Sequence, residues 1–226
     1  MSQERKIEAA RAALAEVRSG MTLGLGTGST AKEFVHLLGE ALRSGALRDI
    51  RCTTTSEQTE TQAREEGVPT FSLAEVSPID LAVDGADEID AQLRLIKGRG
   101  GALLREKIVE QQAQRFIVIA DDTKLVDKLG LGTLPVEVTP FALDVLTRRF
   151  TEMNLSPVLR MRDGAVRITD EGNRILDVMV PKESDIADVV ARICENAGVV
   201  ETGFFPHEAT EAIIAAADGI RRMSRR

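Results

Sequence analysis

Apolar positions recur along this chain in two rhythms. Over residues 3–18, Ile7, Ala10, Leu14 and Val17 fall three or four apart, the spacing of one helical face, and Gly20 ends the segment. Residues 21–25 are a short apolar run that predicts a buried strand. It leads into Gly24-Leu25-Gly26-Thr27-Gly28-Ser29-Thr30 and then a second helical stripe at Phe34, Leu38 and Leu42. The rhythm returns with a strand at 50–53 and a polar helix whose start fits a capping box at Thr54-x-x-Glu57 or Thr55-x-x-Gln58. Gly67 ends that helix. Strands follow at 68–73 and 79–83, then a helix at 103–112 and a strand at 116–120. Strands alternating with helices predict a mostly parallel α/β sheet.

From about residue 134 the texture changes. A strand at 134–138 precedes a helix opened by Pro140 and running through Phe150. Strands are predicted at 157–161, 165–169 and 174–180, separated by the turn signals Asp163-Gly164 and Glu171-Gly172-Asn173. Ile186, Val189, Val190 and Ile193 mark a helix ended near Gly198, and 199–205 reads as a strand. Hairpins with two helices predict a small α+β domain over 134–204, inserted in a larger domain formed by 1–133 and 205–226. A last helix over 209–223 is expected to pack back on the larger domain.

Composition removes several function classes. With 226 residues the chain can bury a substantial core, and 43% hydrophobic with 29% charged residues is ordinary for a globular protein. A net charge of -7 argues against bulk attraction to nucleic acid, and without Trp or Tyr there is no stacking surface for single strands. Arg221, Arg222, Arg225 and Arg226 read as a solvated basic tail. Cys52 and Cys194 lie far apart beside apolar residues and read as two buried thiols of a reducing compartment. The first residues carry no apolar leader, and no stretch is long enough to span a bilayer, so a soluble cytoplasmic protein is expected.

Candidate chemistry gathers at the strand ends. The first glycine loop, with Ser29 and Thr30, offers N–H and hydroxyl donors at a helix N-terminus, which suits an anion. A dinucleotide loop is the rival. Here, though, the spacing is G-x-G-x-G-S and the next strand ends at Thr53, where a ribose-binding acid would stand. A purely structural turn is the plainer alternative. Asp84-Gly85-Ala86-Asp87-Glu88 follows the next apolar strand. It reads as a solvated acidic turn, a divalent-metal site or a ligand site; His36 and His207 are isolated and lend the metal reading no support. Lys97-Gly98-Arg99-Gly100-Gly101 allows close backbone approach, and Glu106 lies just inside the following helix. Taken alone, Glu106 is a surface helix residue favoured by the helix dipole. Lys124, after a further strand, is an anion contact or a solvated turn lysine.

The motifs GLGTGST, VDGADEID, KGRGGALLREKIVE, IADDTKLV and LPVEVTP, in this order, resemble ribose-5-phosphate isomerases of the A type. TDEGNRILDV and GVVETGFF extend the likeness through the smaller domain. The resemblance implies a Rossmann-like domain joined to a smaller ferredoxin-like one, and a homodimer or homotetramer. It implies interconversion of ribose 5-phosphate and ribulose 5-phosphate without metal or organic cofactor. By motif it places substrate at Thr27, Gly28, Ser29 and Thr30, at Asp84, Gly85, Ala86 and Asp87, and at Lys97, Gly98, Arg99 and Gly100. Lys124 and Lys6 are further binding residues, and Glu106 is the proton acceptor. The family usually has glycine where Arg99 stands. A left-handed Arg99 would be strained; otherwise its side chain is expected to reach solvent or a neighbouring subunit.

An aldose–ketose shift needs a base over the carbon plane and positive charge beside the oxygens. Glu106 is assigned as the base, Lys97 with the loop N–H groups as the oxyanion's partners, and Asp84 or Asp87 as the shuttle between sugar oxygens. The remaining alternatives are a related-fold deaminase or coenzyme A transferase, and a non-catalytic sugar-phosphate effector domain. The LREK helix after the glycine loop favours the isomerase over the first two. The effector domain would be expected to carry a helix-turn-helix, for which the stretch before Met21 is too short.

Overall fold

The computed structural model describes residues 3–225. Its first half runs α1 (Gln3–Leu14), β1 (Thr22–Leu25), α2 (Ser29–Arg43), β2 (Arg51–Thr54), α3 (Glu57–Glu65), α4 (Leu73–Val76), β3 (Ile79–Asp84), β4 (Glu88–Ile89), β5 (Leu95–Ile96), α5 (Leu103–Gln111) and β6 (Ala113–Asp121). The second half runs β7 (Thr133–Val138), α6 (Leu143–Glu152), β8 (Val158–Leu159), β9 (Met161–Arg162), β10 (Ala165–Val166), β11 (Arg174–Met179), α7 (Ile186–Cys194), β12 (Val199–Thr202), β13 (Phe204–Phe205), β14 (Glu211–Ala216) and β15 (Gly219–Ser224).

The larger sheet has the order β15-β14-β6-β3-β1-β2, parallel except for β15. Its central strands β1, β3, β6 and β14 are apolar on both faces, as a sheet covered on both sides requires. On one face Leu23, Leu81, Val83, Ile117 and Ile213 pack with Ala9, Ala10 and Ala13 of α1 and Phe34 and Leu38 of α2. The alternate positions Ala82, Phe116, Val118 and Ile214 point the other way, against Ile89, Leu95 and Phe205. Parallel register sets Leu25 beside Thr54 and Val83, and Asp84 beside Val118. The loops leaving β1, β3 and β6 therefore open on one edge.

The smaller sheet is antiparallel, in the order β12-β7-β11-β8. With α6 after β7 and α7 after β11, this is the ferredoxin-like β-α-β-β-α-β arrangement. Leu146, Phe150, Val189 and Ile193 of its helices close over Leu134, Val136, Leu176 and Val178. A third small sheet, β13-β5-β4, ties the two together. There the Lys97 N–H donates to the Gly203 carbonyl at 2.8 Å, and the Gly203 N–H donates to the Pro135 carbonyl at 2.7 Å. A Cβ on Gly203 would lie 2.2 Å from the Lys97 carbonyl oxygen, so only glycine lets these backbones cross.

Several sequence expectations are corrected. Residues 209–223 are the β14–β15 hairpin, not a helix. Ala212, Ile213, Ile214 and Ala215 are all fully buried, a run covered on both faces as in a strand inserted beside β6. The Asp218-Gly219 pair is its turn signal, with φ 119° at Gly219. The arginines are likewise no free tail: Arg222 lies in β15 and bonds Glu16 and Glu211 at 2.8 Å. Arg225 donates to the carbonyls of His207 and Pro206; Arg226 lies outside the described residues. Over 68–73 only a single bridge, Cys52 to Thr70, forms before α4. The cap of α3 is Ser56, whose hydroxyl accepts from the Thr59 N–H, rather than Thr54 or Thr55. The strand expected over 157–161 breaks at Arg160, and the one over 165–169 keeps only β10. Cys52 is buried, but Cys194 is exposed at the end of α7. Among the described residues no helix is long and apolar enough to cross a membrane.

Candidate active site

The edge where β1, β3 and β6 end carries a cleft of about 120 Å³ lined by Thr27, Gly28, Ser29, Thr30, Gly85, Ala86, Asp87, Lys97, Gly98, Gly100, Glu106 and Lys124. Four loops and the first turn of α5 thus converge, although they are far apart in sequence. A larger groove of about 800 Å³ runs past Arg94, His207, Arg222 and Arg225. There Arg94 is already paired with Asp90 and Arg222 with Glu16 and Glu211.

Asp84 ends β3 with its side chain 1% exposed. Its Oδ1 accepts the Thr27 N–H at 2.9 Å and the Gly85 N–H at 2.6 Å. Its Oδ2 accepts from Lys97 Nζ at 2.8 Å. This carboxylate fastens the first glycine loop to the second and does not line the cleft. A Cβ on Gly26 would fall 2.1 Å from the Asp84 carboxyl. Gly26→Ala is therefore expected to displace Asp84 and lower kcat/KM roughly 10²-fold, the scale of a one-ångström misplacement; steady-state kinetics on the folded variant measures it.

Thr27 turns its hydroxyl away from the cleft, onto Thr55 and Ser56 at 2.7 Å and Thr59 at 3.1 Å. What it leaves toward the cleft is the start of α2. Gly28 adopts φ 119° there and no side chain caps the helix, so the first-turn N–H groups of Ser29 and its neighbours face the opening. Lys124, after β6, lines the same cleft. Lys6 does not line the cleft; the start of α1 is tied to the segment before Lys124 by the Arg5–Asp122 pair at 2.9 Å.

Lys97 is the centre of charge. Its ammonium, 2% exposed, meets Asp84 at 2.8 Å, Glu110 at 3.1 Å and Glu106 at 3.5 Å, and donates to the Gly85 carbonyl at 2.6 Å. The rings of Phe116 and Phe205 lie 5.6 and 5.5 Å away. Burial opposes its charge, yet the three carboxylates outweigh burial and hold its pKa well above the ordinary lysine value.

Glu106 faces the cleft from the end of the first turn of α5. Burial pushes its pKa up to about 8; Lys97 works against that, while Asp84 and Asp87 add to it. Its Oε2 is buried and receives no hydrogen bond. Such a carboxylate is poised to accept a proton near neutral pH. Glu110, one turn further on, was missed in the sequence. It is buried on the same helix face, and burial above all raises its pKa well beyond the usual carboxylate range. The signal was there: Glu106 and Glu110 are four residues apart on the face that packs inward. Lys107 anchors this face by donating to the carbonyls of Thr202 and Phe204 at 2.9 and 2.8 Å.

Arg99 does not line the cleft and is not left-handed. Its N–H donates to Asp87 Oδ2 at 2.9 Å, and its guanidinium bonds Glu88 at 3.1 Å while the side chain, 43% exposed, reaches solvent as expected. Asp87 thus spends one oxygen on the glycine loop and still lines the cleft.

The arrangement can be compared with known proteins. Residues 51–219 match the model of the family described as ribose 5-phosphate isomerase A (phosphoriboisomerase A). The chain is 47% identical over 231 residues to the ribose-5-phosphate isomerase A of Rhodopseudomonas palustris strain BisB5, covering 99% of this chain and 98% of that one. It is 46% identical to the one from Deinococcus radiodurans, covering 97% of each. A solved D-ribose-5-phosphate isomerase in complex with phospho-erythronic acid superposes with a TM-score of 0.94 at 41% identity over the full length of both chains. The Methanocaldococcus jannaschii ribose 5-phosphate isomerase A superposes at 0.93 with 36% identity, covering 99% of this chain and 100% of that one. By fold and by sequence, the chain belongs to the ribose 5-phosphate isomerase A family.

Proposed function

We propose that the chain interconverts ribose 5-phosphate and ribulose 5-phosphate through an enediolate, with Glu106 as the base that moves the proton between adjacent carbons. The observation that carries this is the buried Glu106 carboxylate lining the cleft, with its Oε2 3.5 Å from Lys97. The α2 N-terminus at Gly28, Ser29 and Thr30, with Lys124 in the same cleft, is the phosphate end; Lys6 supports it from α1. Lys97 and the loop of Gly98 and Gly100 stabilise the oxyanion as it forms. Asp87, which lines the cleft, is the shuttle between sugar oxygens, while Asp84 holds Lys97 and the first loop in place. Binding of phospho-erythronic acid, a sugar-acid phosphate, by the related enzyme fits a cleft that takes a phosphate at one end and negative oxygen at the other.

The reaction run in deuterated water tests this. Proton transfer through an enediolate carries solvent deuterium onto carbon, and a product free of deuterium would overturn the reading in favour of a hydride shift. The pH dependence is a second check. The base works ionised, and its pKa stands at about 8 in the empty enzyme. So kcat/KM should rise with pH and level off above about 8. A limb centred at the ordinary carboxylate value would mean that burial does not govern Glu106.

We further propose the division into 1–133 with 205–226 and 134–204, supported by a core cluster over the smaller sheet apart from the two that cover the faces of the larger one. A cytoplasmic location and a homodimer or homotetramer complete the reading. Sedimentation of the purified protein tests the assembly.

A further inference from the structure

The second glycine loop closes as a tight turn, with the Gly101 N–H donating to the Gly98 carbonyl at 3.0 Å. Gly98 and Gly101, at φ 98° and 87°, are left-handed, but the two central residues, Arg99 and Gly100, are not. That excludes a type II turn, whose third residue needs positive φ. The two turn types close the same hydrogen bond and differ by a flip of the central Arg99–Gly100 peptide, and glycine at 100 leaves both accessible.

One side chain from the smaller sheet bears on this choice. Arg160, just after β8 and 13% exposed, grips both carboxylate oxygens of Asp177 on β11. Its remaining Nη1 donates to the Gly98 carbonyl at 2.6 Å and the Arg99 carbonyl at 3.2 Å. In a planar trans peptide the C=O and N–H point opposite ways. With the Gly98 carbonyl on Arg160, the Arg99 N–H faces away, and it meets Asp87 at 2.9 Å. With the Arg99 carbonyl on the same guanidinium, the Gly100 N–H is turned from Arg160 too, and Gly100 lines the cleft.

We propose that Arg160 is a positioning residue for the isomerisation: by holding two carbonyls of the glycine loop, it keeps the Gly100 N–H aimed at the sugar oxygen that becomes negative. The smaller domain thereby enters the chemistry without touching substrate. This rests on the isomerase reading of the cleft.

Arg160→Gln is expected to lower kcat about 10²-fold, the cost of one lost oxyanion donor, with KM little changed because the donor matters most in the transition state. Arg160→Lys should recover part of that loss, since an ammonium still donates to a carbonyl, and it serves as the readout if the glutamine variant does not fold. The decisive arm is Gly100→Ala. The added methyl would meet nothing nearer than Thr27 Cγ2 at 3.9 Å, so the present turn accepts it. The flipped turn would force alanine into positive φ. In the G100A background, then, the further loss caused by R160Q or R160K should shrink. An equal loss in both backgrounds, or full activity in R160Q, overturns the proposal. Full activity in R160Q beside a dead Glu106→Gln would sink Arg160 alone, whereas a fully active Glu106→Gln would sink the isomerase assignment of the base itself.

Discussion

Glu106→Gln should bind ribose 5-phosphate and fail to turn it over. The amide keeps the shape of the carboxyl but cannot take a proton from carbon, and a positioned base contributes about 10²–10⁴-fold. The loss should fall on kcat, with binding retained. Glu106 lies 3.5 Å from Lys97, and the amide oxygen still faces that ammonium. Isothermal titration against single-turnover rates separates the two quantities; turnover close to that of the parent enzyme would remove Glu106 from the mechanism. The substitution also has a stability signature. Glu106 ionises near 8 in the folded protein against an ordinary 4.5. Between those values the folded state keeps a proton that the unfolded chain has released, so this group makes stability fall as pH rises across that window. Melting temperatures of Glu106→Gln should therefore depend less on pH there than those of the parent.

Lys97→Met should do damage of a different kind. Its ammonium faces Asp84, Glu106 and Glu110, all within 3.5 Å and all almost fully buried. Removing one partner of a buried charged group costs about 3–5 kcal/mol, because the charges left behind have neither water nor a counter-ion. The carboxylates respond by holding protons. The Glu106 limb of the pH profile should move above its present position, and the base should be neutral where the parent is active. Loss of the oxyanion partner adds roughly 10²–10³ in kcat. Acidification should restore part of the melting temperature while leaving activity low, since the protons that relieve the repulsion also silence the base. A variant whose stability fell equally at every pH would show that Lys97 matters through packing against Phe116 and Phe205 rather than through charge.

Much of this was legible in the chain before folding. The strand-and-loop order of the first half and the antiparallel texture of 134–204 follow from local pattern, because period and turn chemistry are properties of neighbours; the ranges around Thr27, Asp87, Lys97 and Glu106 stood out only through strand-end position and family resemblance, since Glu106 alone reads as a surface helix residue. Where the reading failed, long-range burial decided. Residues 209–223 contain good helix formers, yet the space beside β6 was open to a strand, and a fully buried apolar run fills it. Cys194 stands beside apolar residues in sequence but outside in space.

For the site, the sequence by itself determined which residue types meet the chemistry. Glycines stand where backbones must approach, acids and a lysine at strand ends, and a glutamate in the first turns of a helix. Only the tertiary structure decided their positions and partners. It set Asp84 behind the cleft and Asp87 at it, gave Arg99 partners within its own chain, brought in Glu110, and reached across from the smaller sheet with Arg160. The physical reason is that a carboxylate's task depends on which donors surround it and on how much water it keeps. Those are set by residues tens of positions away, whose distance in space no local pattern encodes.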